Sequence, residues 1–484
     1  MAVKPYRTRT FRAQAPIPTC RNHPAGKATS VRQEDDHVMR NTPRTTLRSR
    51  RRAGRALAVG MAAVMSTALL GACSSDDDSD GDGGNGDEEI TLRVGVFGQF
   101  GFEESGLYDE YMELNPHITI EQDSITDNGD YITQLRTRLS QNSGLLDIQA
   151  IEIGNIAEMT TELSDRWVDF NEYPDVDASH FVEWKNQQAT DPDGRLIGLG
   201  TDIGPTGICY RTDFFEQAGL PTDRDEVTEL FAGGWEDYLA VGDQFAAEGP
   251  EGVAFLDSAG GMFNAVVSGY EERYYNAEGE IAYEDTEAVA TGWELATQAA
   301  EAGLSSGLEQ FQPDWNQAMA NGDFATLPSC PAWMLGYIQS QAGEGGEDVW
   351  DVAQSPVPSN WGGAFVGVPE AGENKDEAVA LAAWLTAPEQ LAKLFTERGS
   401  YPSSAEAQQL PEVLEATHDY FNDAPIGQIF SQAAADVPTT VIGPYDQQIQ
   451  EGITDGLLAL EQNDLSPDDA WDDVVSALDN AVAE

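Results

Sequence analysis

Residues 200–215 read Gly-Thr-Asp-Ile-Gly-Pro-Thr-Gly-Ile-Cys-Tyr-Arg-Thr-Asp-Phe-Phe, and this stretch decides how the chain is organised. It places a carboxylate, Asp202, after an apolar run and then passes through glycines and a proline. It then continues into Ile208-Cys209-Tyr210, which has strand character. A segment that is extended at both ends and loosened in its middle suits a chain that crosses between two lobes. We therefore predict that it forms the hinge and the floor of a ligand cleft.

The same stretch carries a family resemblance, which covers most of the chain from about Ile90 to the end. It lies in Gly200-Thr201-Asp202-Ile203-Gly204-Pro205, in Cys209-Tyr210-Arg211 and in Ala218-Gly219-Leu220-Pro221-Thr222-Asp223. These segments resemble the carbohydrate-binding lipoproteins of bacterial ABC importers, and they are most similar to the cellobiose-type binders of actinobacteria. The resemblance implies an α/β, bilobal fold of the maltodextrin-binding type, with two α/β lobes joined by a multi-strand hinge and no cofactor.

Length and charge limit the number of lobes and the class of ligand, independently of the resemblance. A chain of 484 residues is too long for one hydrophobic core and predicts two lobes of ordinary size. Residues 1–73 hold 14 of the 26 Lys and Arg but only three of the 84 Asp and Glu, which leaves 12 basic against 81 acidic residues in the remainder. Such a polyanion repels nucleic acid and anionic lipid, so we expect neither as a partner. A neutral ligand fits this charge best.

Residues 39–73 have the parts of a secretion signal. Arg40 to Arg55 is strongly basic, Ala56 to Ala72 is apolar and small, and a cysteine follows directly. The end of this segment, Leu70-Gly71-Ala72-Cys73, resembles a bacterial lipobox, and the resemblance assigns lipidation to Cys73. A plain secretory signal with a coincidental cysteine is the alternative. We expect a protein that is anchored by lipid to the outer face of the cell membrane and acts as a monomer.

Two segments flank this leader. Residues 1–38 precede Met39, show no periodic pattern and are interpreted as an over-extended start. Residues 74–89 consist mainly of Ser, Asp, Gly, Asn and Glu, which cannot bury a core, so they are interpreted as a flexible acidic tether.

Strands and helices alternate in the N-terminal part of the remainder. Ile90, Leu92, Val94 and Val96 alternate with other residues, which predicts a strand entering a sheet. The next predicted elements are a helix from about Ser105 with Leu107, Tyr111 and Leu114 on one face, a strand at 118–120, a helix over 131–140 and a strand over 147–153. This alternation predicts a βαβ layout with a mainly parallel sheet.

Helical patterns dominate the later part of the chain. The predicted elements are helices over 235–247 and 286–302, a strand at 324–327, a helix starting at Cys330-Pro331, a strand at 366–369, a helix capped by Asn374 and Glu377, and a largely helical tail from 411. Taken in order along the chain, the resemblance implies that lobe 1 comprises 90–201 plus 325–368 and that lobe 2 comprises 202–324 plus 369–484.

Binding a neutral sugar needs flat aromatic faces and polar groups. Aromatic rings stack on the C–H faces of a pyranose, and carboxylates and amides take the hydroxyls. Open parallel sheets place ligands at the carboxyl ends of their strands, so aromatic and polar residues just after strands are the candidates. By their order, the positions match ligand-contacting loops of the resembled fold. The predicted ligand-binding residues are Gln99, Phe100, Glu152, Asn155, Asp202, Phe263, Asn264, Trp333, Trp361, Gly362 and Tyr445.

Other tryptophans and the cysteines have structural interpretations. Six tryptophans are assigned to lobe packing: Trp184, Trp235, Trp293, Trp315, Trp384 and Trp471. Cys209 and Cys330 remain as an even pair outside the cytoplasm, where disulfides persist. In a bilobal fold of the resembled kind both lie on strands that cross the hinge, so a bridge is feasible, and two buried free thiols are the alternative. Neither has metal-ligand spacing, and no metal site is expected.

Two common catalytic signatures are missing from the sequence. After residue 73 the histidines are His117, His180 and His418, each isolated, and there is no His-Glu-x-x-His motif and no phosphate-loop motif. The many acids leave a two-carboxylate glycoside hydrolase open as an alternative. A binder of another neutral solute, such as a polyol, is a second alternative.

We therefore expect a binding protein and not an enzyme. The expected function is that of the substrate-binding lipoprotein of a carbohydrate ABC importer, which captures a neutral di- or oligosaccharide between its lobes. Closure of the lobes would then present the sugar to the permease subunits of the importer. Cellobiose is the first guess, because of the resemblance alone.

Overall fold

The structure is a computed structural model that describes residues 89–463 and 465–482. The expected start region 1–38, the leader 39–73 with Cys73, and all but the last residue of the tether 74–89 lie outside the described residues. In the part of the chain that is described, no helix is long and apolar enough to cross a membrane.

The strands form two separate sheets. In chain order they are β1 (Ile90–Phe97), β2 (Ile118–Ile125), β3 (Ile148–Glu152), β4 (Leu199–Gly200), β5 (Thr206–Arg211), β6 (Ala254–Leu256), β7 (Phe324–Pro331), β8 (Trp350–Gln354) and β9 (Ala364–Gly367). The predicted alternation in β1 is confirmed, because Leu92, Val94 and Val96 are fully buried while Thr91 and Arg93 are exposed.

Helices cover both sheets. They are α1 (Leu107–Leu114), α2 (Asn128–Gln141), α3 (Ile153–Thr161), α4 (Glu183–Gln188), α5 (Thr212–Gln217), α6 (Arg224–Leu230), α7 (Trp235–Glu248), α8 (Ala259–Val267), α9 (Glu287–Glu301), α10 (Pro313–Asn321), α11 (Met334–Ala342), α12 (Lys375–Leu385), α13 (Pro388–Arg398), α14 (Pro411–Leu414), α15 (Ile426–Ala435), α16 (Asp446–Asn463) and α17 (Pro467–Ala481). The predicted helices over 131–140, 235–247 and 286–302 correspond to α2, α7 and α9.

Three details of the predicted helices are wrong. Pro331 does not start a helix: it is the last residue of β7, where it pairs with Thr206, and α11 begins at Met334. Asn374 is the N-cap residue of α12, but its side chain makes no capping hydrogen bond. Leu114, expected on the buried face of α1, is 68 % exposed, because the helix ends there and the chain turns away.

The first sheet has the strand order β2-β1-β3-β9-β4. The pairs β1–β2 and β1–β3 are parallel, as the βαβ layout predicts, whereas β9 runs antiparallel to both β3 and β4. One hydrophobic core covers this sheet. Its residues come from 92–199 and from 365–407, including Leu381 and Leu385 of α12.

The second sheet has the strand order β6-β7-β5-β8 and is buried on both faces. Along β5, Ile208 and Tyr210 point into one core and Cys209 points into another, as the period of two requires. Helices therefore lie on both sides of this sheet, which makes the second lobe a three-layer sandwich.

This pairing divides the chain differently from the expected lobe boundaries. Strands β7 and β8, expected in lobe 1, pair in the second sheet, and of the segment 325–368 only β9 joins the first. Helix α12, expected in lobe 2, packs in the core of the first sheet. The physical reason is that each strand is a short apolar run, and such a run does not encode which sheet it will join.

The hinge consists of three chain segments that meet between the sheets. Residues 201–206 lie against 359–364, where Trp361 N donates to Gly204 O at 2.8 Å and Gly204 N donates to Asn360 Oδ1 at 2.8 Å. They also lie against 401–402, where Ile203 N donates to Tyr401 O at 2.9 Å. The stretch 200–215 therefore crosses from β4 of the first sheet to β5 of the second.

Cys209 and Cys330 form a disulfide in the structure, with their Cα atoms 5.6 Å apart. The two cysteines lie on β5 and β7, which are antiparallel neighbours, beside a register shift between Gly207 and Cys209. The bridge thus lies inside the second sheet and does not span the hinge. Both cysteines are fully buried.

Candidate ligand-binding cleft

A cleft of about 1050 Å³ opens between the two lobes at the hinge. The first lobe contributes the residues that follow β1 and β3, so the cleft lies at the carboxyl ends of parallel strands. The second lobe contributes residues of α8, α11 and α16 and the loop that precedes α10. Its volume is at the upper end of the range for small-molecule sites, about 300–1,000 Å³.

Four aromatic side chains form a continuous face of this cleft, which we call the aromatic wall: Phe311, Trp333, Tyr337 and Trp361. The ring centroids of Trp333 and Trp361 are 5.4 Å apart, and Trp333 Nε1 donates to the Trp361 carbonyl at 3.1 Å. Phe311 lies 6.3 Å from Trp333, 6.0 Å from Trp361 and 5.7 Å from Tyr337. These are contact distances for aromatic rings, so the wall has no gap between its members.

Glu152 lies on the first-lobe side of the cleft, where β3 ends and α3 begins. Its Oε2 accepts a hydrogen bond from Gly154 N at 2.5 Å and caps the helix. Burial raises the pKa of Glu152 to about 7 from its ordinary 4.5, against the opposing effects of the Gly154 amide and Lys185. Glu152 therefore titrates near neutral pH and can accept from a ligand hydroxyl or, when protonated, donate to one.

Asp202 lies at the crossing, as the sequence indicates. Its Oδ1 accepts from Thr201 Oγ1 at 2.8 Å and from Ala364 N at 2.9 Å, which ties the hinge to β9. Burial raises the pKa of Asp202, and the charge of Lys185 opposes that rise. The Asp202 carboxylate thus supports the hinge as well as lining the cleft.

Lys185 lies buried behind the cleft floor. Its Nζ is 3.8 Å from the centroid of the Phe365 ring, and no hydrogen-bond partner for it is found within 89–463 and 465–482. Burial lowers the pKa of Lys185 to about 8, while Asp202 and then Glu152 act in the opposite direction. Gly363 makes room for this ammonium group, because a Cβ there would lie 3.1 Å from Nζ.

Two amides complete the polar lining. Gln99, at the end of β1, accepts from Arg398 Nη2 at 3.2 Å. Asn264, on α8 of the second lobe, is 4 % exposed, and its Oδ1 lacks a hydrogen-bond partner among the residues that the structure describes. An acceptor that is buried and free at the edge of a cleft is satisfied when a ligand donates to it.

The cleft brings together eight of the eleven residues that the sequence predicts for ligand binding. These are Gln99, Phe100, Glu152, Asp202, Asn264, Trp333, Trp361 and Gly362. That they line the cleft is a statement about position, and their contact with a ligand stays a prediction.

The other three predicted residues lie outside the cleft lining. Asn155 is buried in the first turn of α3 and accepts from Arg136 Nη2 at 3.2 Å. Phe263 is fully buried in the core of the second lobe, since neighbouring helix positions face different directions and Asn264 takes the cleft side. Tyr445 packs against the same core just before α16.

Sequence reasoning missed several lining residues. Phe311 and Tyr337 were not singled out, and neither was Arg398. One face of α16 also lines the cleft over four turns, with Gln447, Gln450, Glu451, Thr454, Asp455, Leu458 and Glu461. Their spacing of three and four residues is the signal that could have identified this face.

The site offers nothing that resembles a metal centre in the described part of the chain, where no group of three or more His, Cys, Asp or Glu could hold an ion. What the arrangement can do is bind. A two-lobed α/β fold whose hinge cleft combines stacking faces with hydrogen-bonding groups is suited to binding a small solute.

The family follows from comparison with known proteins. Residues 106–422 match the family described as bacterial extracellular solute-binding protein, and the chain belongs to that family. It is therefore a binding protein and not an enzyme, which sets aside the hydrolase alternative. The bilobal α/β fold is confirmed by the solved structures that it resembles.

Individual relatives agree with this assignment. A crystal structure of an extracellular solute-binding protein of family 1 is 36 % identical, with a TM-score of 0.71 over 81 % of this chain and 99 % of the other. An ABC transporter-associated binding protein from B. animalis subsp. lactis, solved with β-1,6-galactobiose, is 18 % identical with a TM-score of 0.68 over 81 % and 97 % of the two chains. A lactose-binding protein of Rhizobium radiobacter is 26 % identical over 297 residues, 59 % of this chain and 68 % of that protein.

Proposed function

We propose that this protein binds a neutral di- or oligosaccharide in the hinge cleft and serves as the substrate-binding component of a carbohydrate ABC importer. The observation that carries the proposal is that the aromatic wall lines the same cleft as the carboxylate of Glu152 and the amides of Gln99 and Asn264. Flat apolar rings beside hydrogen-bonding groups match the two kinds of surface that a pyranose presents. The sugar-binding relatives support the same ligand class.

The charges of the lining favour an uncharged ligand. Among the described residues that line the cleft, the basic side chains are Arg273 and Arg398. Arg273 is buried in an ion pair with Asp446, and Arg398 donates to Gln99. Seven carboxylates also line the cleft: Asp127, Glu152, Asp202, Glu309, Glu451, Asp455 and Glu461. An acidic sugar would meet seven carboxylates against one arginine, Arg398, that is not paired with an acid, so the net charge of the lining disfavours it.

Closure of the two lobes is the proposed mechanism of capture. The ligand touches groups of both lobes only when they meet, so it shifts the population from open to closed by its differential affinity. The closed form would then dock on the permease. Cellobiose remains the first candidate sugar, and a polyol is disfavoured because it offers no ring face to the wall.

A thermal-shift screen against a sugar panel tests the ligand class. The panel is cellobiose, cellotriose, lactose, β-1,6-galactobiose, glucose, glucuronic acid and sorbitol. A bound sugar stabilises the protein by about 2.7 kcal/mol at a hundredfold excess over its Kd. We expect a shift with at least one neutral disaccharide or trisaccharide. Shifts only with glucuronic acid or sorbitol, or with no member, would refute the proposal.

Substitution of the wall tests the site. We expect the double variant Trp333→Ala/Trp361→Ala to lose calorimetric binding of the sugar that the screen identifies, since it removes both indole faces on which a pyranose would stack. The matched control is Trp384→Ala, which removes a half-buried indole that packs on Tyr111 away from the cleft. Undiminished binding by the double variant contradicts the proposed site.

The lipid anchor is part of the proposal and rests on Leu70-Gly71-Ala72-Cys73. We expect the cell-associated protein to carry a lipidated Cys73 at its N-terminus, which intact mass spectrometry detects. Cys73→Ala should release the protein into the medium or leave an unprocessed precursor. A mature N-terminus elsewhere would refute the anchor and leave the sugar site untouched.

A further inference from the structure

Phe311 has an unusual backbone. Its φ is 67°, in the left-handed region that bulky side chains avoid. Within the described residues, the other non-glycine residues with positive φ are Asn142, Asp348, Asn422 and Asp423. Asn and Asp tolerate this conformation, because their short polar side chains bond locally. Phe311 therefore stands apart as a large apolar residue held in strain.

A buried carboxylate holds the loop that carries Phe311. Asp257 Oδ2 accepts from Gln310 Nε2 at 2.7 Å and from Trp315 Nε1 at 2.9 Å. These donors flank Phe311 on both sides along the chain. Ser306 Oγ donates to the carbonyl of Asp257 and fixes the start of the same loop. Asp257 is fully buried, so water does not compete for these bonds.

The ring of Phe311 is not hidden by this arrangement. The residue is 41 % exposed, and its ring faces the cleft beside Trp333, Trp361 and Tyr337. Trp315, whose ring centroid is 5.1 Å away, is fully buried behind it. Backbone strain and an exposed apolar ring both disfavour the unliganded protein. A ligand that covers the ring is what would make this conformation favourable.

We propose that Phe311 contacts the ligand and sets a preference for saccharides of two or more rings, and that Asp257 positions it. This inference rests on the proposed function. Phe311 widens the wall beyond the pair Trp333 and Trp361, and a single pyranose ring cannot cover four contiguous aromatic side chains. Contacts with Phe311 are therefore gained mainly by longer ligands. A quaternary ammonium is a poor occupant, because the rings touch one another and leave no cage between them.

The test is calorimetry of wild type and Phe311→Gly with glucose, cellobiose, cellotriose, lactose and β-1,6-galactobiose. Glycine removes the ring and also relieves the strained φ. We expect Phe311→Gly to weaken the bound di- or trisaccharides about tenfold and to change glucose binding less than about threefold. The matched control is Asp348→Gly, which also places glycine at a positive-φ position, but at an exposed site away from the cleft, and should leave every Kd unchanged.

A second readout needs no ligand. If Phe311 serves the ligand more than the fold, relief of its positive φ should offset the lost ring contacts, and the apo form of Phe311→Gly should melt within a few degrees of wild type. A clearly lower melting temperature would show that the ring is a packing residue and would overturn the inference. Binding of a disaccharide by wild type with an equal Kd in Phe311→Gly would also overturn it, while leaving the proposed function intact. Failure of wild type to bind any panel sugar would overturn both.

The role of Asp257 is tested by a double-variant cycle. Asp257→Ala should weaken binding of the longer sugars as Phe311→Gly does, and the double variant should be no weaker than Phe311→Gly alone, because both changes act through the same ring. Asp257→Asn keeps an acceptor for Gln310 and Trp315, so it should restore most of the affinity. Additive losses in the double variant, or no rescue by Asp257→Asn, would refute the positioning role.

Discussion

The hinge makes a sharp prediction at Gly204, in the stretch that organises the chain. An added Cβ at this position would lie 1.8 Å from the carbonyl oxygen of Trp361 and 3.2 Å from Trp333 Nε1. The backbone oxygen cannot rotate away as a flexible side chain could. Gly204→Ala therefore forces residues 204 and 361 apart by more than 1 Å, since real Cβ contacts are not shorter than 3.0 Å.

The cost can be worked from the contacts that this shift breaks. Trp361 N donates to Gly204 O and Gly204 N donates to Asn360 Oδ1, each at 2.8 Å. Losing two such bonds costs about 1 kcal/mol each, and the overpacking adds about 1–3 kcal/mol. We expect Gly204→Ala to lower the free energy of unfolding by about 3–5 kcal/mol. Because the Trp361 carbonyl also accepts from Trp333, sugar affinity should fall at least about tenfold.

Urea unfolding and calorimetry measure the two effects. The matched control is Gly345→Ala, because Gly345 is exposed, has no positive φ and would place its Cβ with nothing within 4 Å. That variant should unfold within about 1 kcal/mol of wild type and bind the same sugar equally well. If Gly204→Ala matches Gly345→Ala in both stability and affinity, the close crossing of the two segments is not the hinge that we describe.

Two further predictions concern the disulfide and Glu152. Replacing both Cys209 and Cys330 by serine opens a loop with a sequence separation of 121. The free energy of unfolding should therefore fall by up to about 5 kcal/mol, while the sugar affinity is retained. Equal urea midpoints with and without the disulfide would contradict this prediction. Glu152 has a pKa raised to about 7 by burial, so the folded protein binds its proton more tightly than the unfolded chain. Relative to Glu152→Gln, wild type should therefore gain stability as the pH falls from about 7 toward 4.5, and parallel pH–stability curves for the two proteins would refute the assignment.

The sequence could predict the elements better than their partners. Alternation in β1 and the apolar run of β3 depend on local periodicity, which is visible in the chain. The membership of β7 and β8 in the second sheet depends on long-range pairing with β5, and no local pattern encodes it. Ordering by resemblance therefore misplaced the lobe boundaries although the strands themselves were found.

The site residues likewise divide into those that local sequence predicts and those whose position depends on tertiary packing. The rule that ligands bind at strand ends predicts three of the site residues, because each lies next to a strand: Trp333, Trp361 and Asp202. Phe311 follows a helix and precedes another, and its position on the wall arises from the buried Asp257 that holds its loop. Asn264 and Phe263 are adjacent in sequence, and only the packing of α8 decides which of them faces the cleft. The direction in which a helical residue faces depends on how its helix packs against its neighbours, and that packing is set by the tertiary structure.

The position of β9 has a consequence for how the polypeptide is made. This strand lies between β3 and β4 in the finished sheet, yet the chain supplies it only after all four strands of the other sheet. A nascent chain that ends near residue 354 therefore has one complete sheet and a second whose β3 edge is still bare. Truncated products of that length should aggregate through the unpaired edge of β3. In the full-length chain, residues 364–367 form β9 and cover that edge.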